Sequence, residues 1–376
     1  MAKSESSTYE QDEPTPHILF VAAREPSYPR VAMTLKALQS RYHVDVITCE
    51  SKSYPRRLLE VSLRFALRRK RRYDAVFLGF FAQPLMPLVC LVWRGPLVVD
   101  AFISLYDSLV LDKGLVSAKG VVGNVALTLD RFTLRHADVA LVDTIQHQAL
   151  FESLNDGDKL PSFHRIWAGA EADIFPRLSE RPYDPASDAP FEVLFWGAFI
   201  PLQGVEVIVK AAALLAERPI RFTLVGLGQT YANCVRLAES LHLRHVNFVG
   251  WKRPSELTAL ADRSHLLLGI FGQTEKAKRV IPNKAFQALA LGKPLLTGRS
   301  AALFELLTEG HDVLACAMND PAALAEAIVH ARDHYDSAMA IGRNGHETFL
   351  AHCSDERRAE EVSEALAEVT RDRTPE

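Results

Sequence analysis

Between residues 266 and 296 the sequence changes character four times, and few folds accommodate that order. An apolar run at 266–270 reads as a buried strand, and a loop carrying Lys276, Lys278 and Arg279 follows it. A helix then begins near Pro282 or Asn283, takes in Lys284, Ala285, Phe286, Gln287, Ala288, Leu289 and Leu291, and stops at Gly292. Pro294 opens a further apolar run, Leu295 and Leu296. Strand, basic loop, helix, glycine stop and strand is the repeating unit of a parallel α/β sheet. The free N–H groups and the dipole of a helix N-terminus act in the same sense as the charges of Lys276, Lys278, Arg279 and Lys284. Together they mark a candidate diphosphate site, with Asn283 and Gln287 beside it. A solvated surface loop accounts for the lysines equally simply. The tight Gly292-Lys293-Pro294 corner between two buried elements favours the site.

The same alternation recurs along the chain. Apolar runs at 17–22, 44–47, 75–80, 96–99 and 137–142 predict parallel strands separated by helical patterns, and a second series begins at 191–196, 220–225 and 246–249. With 376 residues, 48% of them apolar and 24% charged, the chain exceeds one ordinary core, so two α/β domains are expected. A net charge of −3 excludes a general nucleic-acid binder, which needs a cationic footprint. The five cysteines are scattered without a CxxC pair, and no DxD or histidine cluster suggests a metal. Cysteine usage fits a reducing, cytoplasmic compartment. The first 16 residues read as a disordered tail, and the apolar stretch 75–93 is interrupted by Gln83, Pro84 and Pro87, too broken to span a bilayer.

Ligands of open α/β sheets sit beyond the carboxyl ends of strands. By that rule Asp100, which ends the run at 96–99, is the best-placed carboxylate of the first half. Asp143 and Thr144 lie at the tip of the run at 137–142, Thr144 as a helix N-cap, while Asp107 and Asp112 read as ordinary surface carboxylates. Arg24 and Arg30 suit either an anion across a cleft or the surface. Residues 81–93 predict a nearly uninterrupted apolar helix, and 126–136 another. Residues 56–72 interleave arginines with leucines; Leu59, Leu63, Ala66 and Leu67 are expected to face inward and the basic residues outward. That block is either a solvated face or an interfacial helix on an anionic leaflet. In the second half Gly197 heads the loop that ends at Gln203-Gly204. Gly226 and Gly228 stand between a strand and a helix, where a nucleotide can approach closely. Trp251 follows the run at 246–249 and is expected either to stack on a base or to pack in the core. Ser255 and Asp320 are expected helix N-caps.

These residues resemble the retaining GT-B glycosyltransferases, the family 4 type also called glycosyl transferases group 1. The resemblance is good over 165–350 and loose over 17–164. It implies a first domain at 17–176 for the acceptor, a linker at 177–190, a nucleotide-sugar donor domain at 191–350, and a helix at 351–370 crossing back. It also implies transfer of a sugar from a nucleotide diphosphate sugar to an acceptor hydroxyl, a lipid-linked or cell-envelope glycan being one acceptor class it allows, with no cofactor and no metal. The chain departs from the family at several points. The usual Gly-Arg is Gly197-Ala198, and the usual Glu-Lys-Gly ends here in Leu202-Gln203-Gly204. Two acids spaced seven apart fall near Arg279 and Gln287, and a common histidine is Phe102. The missing cations are expected to be replaced by Arg279 and Lys284, which with Asp100 form the expected catalytic set. Donor-binding roles fall to Gly197, Gln203, Gly226, Gly228, Trp251, Lys276, Lys278, Asn283 and Gln287. A non-catalytic partner subunit and a sugar-nucleotide epimerase on the same fold remain the alternatives.

Overall fold

The computed structural model describes residues 15–68, 72–112, 117, 120–157, 159–184, 186 and 189–370. Most of the expected tail, Arg69, Lys70 and Arg71 of the basic block, Pro185 of the linker, the side chain of Asp112 and residues 371–376 lie outside that description.

Alternation of apolar runs and helices produces two parallel sheets. The first contains β1 (His17–Val21), β2 (His43–Ile47), β3 (Ala75–Leu78), β4 (Leu97–Asp100), β5 (Val139–Val142) and β6 (Ser162–Arg165), in the order β2-β1-β3-β4-β5-β6. The second contains β7 (Phe191–Trp196), β8 (Ile220–Val225), β9 (Val246–Val249), β10 (Leu266–Leu268), β11 (Leu295–Gly298) and β12 (Leu314–Cys316), ordered β12-β11-β10-β7-β8-β9. Helices cover both faces, so β3, β4, β5 and β10 are buried along their whole length. Strands of that kind read as continuous apolar runs. In each sheet the strand order reverses once, between β1 and β3 and between β7 and β10. Crevices open beyond the carboxyl ends of the strands at those points.

Helix Tyr335–Cys353 packs on helix Asn283–Leu291 of the second domain. Gly342 permits the approach, since a Cβ there would lie 2.8 Å from the Pro294 nitrogen. Helix Asp355–Thr370 returns to the first sheet, burying Ala359, Val362, Ala365 and Leu366 against Ile18, Phe20 and Phe77. At the crossover Gly169 has φ 68°, and a Cβ there would collide with the Arg358 guanidinium, which donates to Ala168 O at 3.2 Å.

Several elements differ from the sequence expectation. The basic loop contains a short helix, Glu275–Arg279, capped by Thr274, whose hydroxyl accepts from Ala277 N. Residues 81–93 form a 3-10 turn, Gln83–Leu85, and a separate helix, Met86–Val92, because Pro84 and Pro87 supply no N–H. Helix Val121–His136 starts five residues before the expected 126. Ser255 lies inside helix Pro254–Asp262; the cap is Arg253, whose N–H donates to Glu256 at 3.0 Å. Helix Tyr54–Leu67 is rotated from its expected face. Arg57, Val61 and Phe65 point inward, whereas Leu59, Leu63 and Leu67 are 63%, 58% and 82% exposed. Val61 and Phe65 fill the space against the sheet, and Arg57 reaches Glu25.

Candidate functional site

A cavity of about 300 Å³ lies where the carboxyl ends of the two sheets face each other. The loop after β7 contributes Gly197, Leu202 and Gln203, and the segment after β10 contributes Lys276, Asn283, Lys284 and Gln287. Phe102, Ile103 and Asp143 line it from the first domain. Six residues expected at the donor site (Gly197, Gln203, Lys276, Asn283, Lys284 and Gln287) therefore meet in one place. Gln287 accepts from Trp196 Nε1 at 2.8 Å, which fixes its amide at the rim.

Lys284 dominates the electrostatics. It is the second residue of helix Asn283–Leu291, whose N-cap Pro282 offers no side-chain acceptor to the first turn. Its ammonium is buried, lies 3.6 Å from the centre of the Phe195 ring, and donates to the neutral amide oxygen of Gln203. Among the described residues no carboxylate pairs with it. Burial pushes its pKa well below the usual lysine value. A Cβ on Gly197, where φ is 154°, would lie 2.7 Å from Nζ, so the bare glycine backbone gives the ammonium its room. A buried lysine without a counter-ion, beside uncapped helix N–H groups, is arranged to take up its proton as an anion is seated there.

Residues 190–334 match the family model described as "Glycosyl transferases group 1". The second domain is a glycosyl transferases group 1 domain. An uncharacterised glycosyltransferase of Methanocaldococcus jannaschii is 26% identical over 154 residues, which cover 41% of this chain and 42% of that protein. The D-inositol 3-phosphate glycosyltransferase of Corynebacterium urealyticum is 28% identical over 222 residues, 55% of this chain and 51% of that one. The matched regions thus span about half or less of these curated relatives. Sucrose-phosphate synthase from Thermosynechococcus elongatus superposes with a TM-score of 0.74 at 16% identity, covering 96% of this chain and 100% of that one. Anabaena HepE, in complex with UDP-glucose, gives 0.69 at 16% identity, covering 94% and 100%. Both domains together have the GT-B fold over the described residues.

Other expected site residues of the group 1 domain lie elsewhere. Gly226 and Gly228 sit one layer behind the cavity. Their φ values are 135° and 153°, and added Cβ atoms would lie 1.9 Å from Gly197 O and 2.6 Å from Phe199 O. They shape the β7 loop without lining the cavity. Trp251 is 69% exposed on the loop after the edge strand β9, neither in the core nor at the cavity. Lys278 is exposed and pairs with Glu275 at 2.6 Å. Arg279 faces a separate cleft and pairs with Asp107 at 2.5 Å, so its charge is committed.

Asp100 does not line the cavity either. Both its oxygens are held by Arg30 at 3.0 Å, and Arg30 also donates to the carbonyls of Ile166 and Trp167. This buried pair ties β4 to the crossover. Asp107, expected at the surface, is 1% exposed and bridges the domains, with Lys276 Nζ 3.6 Å away in addition to Arg279. Thr144 caps helix Ile145–Leu154 as expected, and its hydroxyl also donates to Arg279 O at 2.6 Å. Glu305, on a 3-10 turn of the group 1 domain, accepts from Ile145 N and Gln146 N at 2.6 and 3.0 Å. Asp143 is the lining residue to which the sequence assigned no role. Its signal was its place at a strand tip, which Asp100 shares. Of the apolar lining residues, Phe102 and Leu202 stood out in the sequence only as departures from the family pattern, and Ile103 and Ile281 carried no local signal.

Proposed function

We propose that this chain is a retaining glycosyltransferase that moves a sugar from a nucleoside diphosphate sugar to an acceptor hydroxyl, with the diphosphate seated against Lys284. The observation that carries the reading is the buried side-chain nitrogen of Lys284 at the foot of a helix, inside the interdomain cavity and paired with no carboxylate among the described residues. The C1–O bond to the diphosphate breaks, a C1–O bond to the acceptor forms, and the acceptor proton passes to the departing phosphate oxygen. Negative charge grows on that phosphate, and the fixed cation and helix N–H groups stabilise it without a metal. Lys276 also lines the cavity, with its ammonium shared by Asp107 at 3.6 Å and Ser108 Oγ at 3.1 Å. The group 1 match and the UDP-glucose complex of HepE support a nucleotide-sugar donor and make UDP-glucose the first donor to try.

Thermal shift with UDP-, GDP- and dTDP-glucose identifies the donor, because a ligand of the folded state raises the melting temperature. With that donor, Lys284→Ala should lose a charge-assisted contact of roughly 1.5–3 kcal/mol, while Lys252→Ala, outside the cavity, stays unchanged. Wild-type affinity by calorimetry in Lys284→Ala would move the diphosphate elsewhere. A binding protein without turnover would remain if the donor binds and no acceptor extract or water releases sugar.

Helix Tyr54–Leu67 supports a second element of this reading, an acceptor presented at an anionic membrane surface. Leu59, Leu63 and Leu67 form an exposed row, and Arg56 and Arg64 on the same helix are exposed too. Apolar side chains between basic ones suit the headgroup boundary at the inner leaflet. No described helix is long and apolar enough to cross a membrane. Co-sedimentation with anionic vesicles should fall as salt rises. Equal recovery with neutral vesicles, or none at low salt, would favour a water-soluble acceptor.

A further inference from the structure

The cavity has a polarity. The second domain brings ammonium groups to it, Lys276 and Lys284, whereas of the first domain's lining residues Phe102 and Ile103 are apolar and Asp143 is a carboxylate. A carboxylate repels a diphosphate and accepts well from hydroxyl groups. Asp143 directly follows β5 and is 2% exposed, so its desolvated oxygens need donors. One is satisfied: His147 Nδ1 lies 2.8 Å from Oδ1. The other, Oδ2, accepts from no described residue.

His147 is built to hold that first oxygen. It is the third residue of helix Ile145–Leu154, four after Asp143, with its backbone N–H fixed by the Thr144 hydroxyl at 3.0 Å. Its ring is buried and stacks on Phe151 at 5.1 Å and 17°. Its Nε2 is buried with no hydrogen-bond partner among the described residues. The imidazole therefore makes one side-chain hydrogen bond, to Asp143, and that bond turns the carboxylate relative to the cavity.

We infer that Asp143 is the acceptor-side residue of the site, receiving a hydrogen bond from the hydroxyl that attacks the sugar, and that His147 is its positioning residue. This rests on the sugar-transfer reading. Asp143 keeps no proton: the hydroxyl proton still goes to the departing phosphate, and the carboxylate only aims the oxygen at C1. Aim of this kind lowers the barrier by restricting orientation before the bond forms.

The test uses UDP and UDP-glucose, or the GDP or dTDP pair where that is the donor found. Slow hydrolysis is the kinetic readout, since water then stands where the acceptor hydroxyl would. Asp143→Asn should keep both affinities within about twofold of wild type. Its hydrolysis rate should fall about 10- to 100-fold, the loss of one charge-assisted contact. His147→Ala should fall in the same way, and His147→Gln, whose amide can donate to Asp143, should recover part of the rate. Retained affinity shows in each variant that the site is folded. A wild-type hydrolysis rate in Asp143→Asn overturns the inference. Loss of UDP affinity would make Asp143 part of the nucleotide site, and loss of UDP-glucose affinity alone would assign it to the donor sugar; either overturns the inference too. If wild type binds none of the nucleotide sugars, the sugar-transfer reading fails first and the inference falls with it.

Discussion

Asp130 and His265 are buried titratable side chains that answer acid in opposite directions. Asp130 accepts from Ser104 Oγ, Leu105 N and Tyr106 N, yet burial outweighs those bonds and pushes its carboxyl up to about 6. Above that pH the folded state carries a desolvated charge that costs about 3 kcal/mol relative to the unfolded chain, and the cost is relieved as pH falls from 6 towards 4. His265 accepts from Glu192 N at 2.8 Å as a neutral ring, and burial, with Arg181 and Lys293 near, lowers its pKa to about 4. The unfolded imidazole takes up a proton near 6.5, so His265 withdraws stability as pH falls from 6.5 to 4. The two effects offset each other in the wild type. Asp130→Asn should therefore lose stability more steeply between pH 7 and pH 5, as read from urea midpoints. Parallel pH profiles for variant and wild type would refute the compensation.

At the scale of elements, what the sequence revealed depended on how many faces an element buries. Strands β7, β8 and β10 were legible as apolar runs, and helix Asn283–Leu291 because its glycine stop and basic start both lie within one short stretch. Strand β12 has only Ala315 and Cys316 after Leu314, and helix Glu275–Arg279 buries Ala277 alone, so neither leaves an apolar run or a periodic trace. Helix Tyr54–Leu67 misled because Leu59, Leu63 and Leu67 repeat at the spacing of a core stripe while Val61 and Phe65 make the actual contact. The site divided along similar lines. Gln203, Asn283, Lys284 and Gln287 follow from a helix start, a local feature. Asp107 and Asp143 take their meaning from residues on other elements, and four aspartates near strand ends look alike in sequence. Two glycine variants separate local conformation from site geometry. Gly292, the left-handed C-cap at φ 69°, has 3.6 Å of clearance to Arg177, so Gly292→Ala should cost about 1–2 kcal/mol of stability and leave donor affinity alone. Gly197→Ala should displace Lys284 Nζ and weaken UDP-glucose binding in calorimetry. Equal affinities for the two variants would deny Gly197 its part in seating the cation.

For the whole molecule, the decisive contacts cross the cleft. Asp107 meets Lys276 and Arg279, Thr144 meets Arg279 O, and the Glu305 carboxylate accepts from the first-turn N–H groups of helix Ile145–Leu154. Asp130, by fixing residues 104–106, sets where Asp107 is presented. Removing a buried carboxylate leaves its cations unpaired, which favours hydration and separation over the closed arrangement. The double variant Asp107→Asn/Glu305→Gln should show a larger radius of gyration in small-angle X-ray scattering, with unchanged far-ultraviolet circular dichroism. Superimposable scattering curves would mean that apolar contacts alone hold the domains together.

Helix Asp355–Thr370 completes the core of a sheet whose strands were laid down at residues 17–165. During synthesis the first sheet leaves the ribosome long before the helix that covers Ile18, Phe20 and Phe77 exists. Those side chains stay partly open to water, or to chaperones, while the later-made second domain already has nearly all the chain it needs. The order of synthesis is thus the reverse of the order in which the two cores can close. The connection between the domains is then more than a hinge: the first domain can finish only after the second has been made.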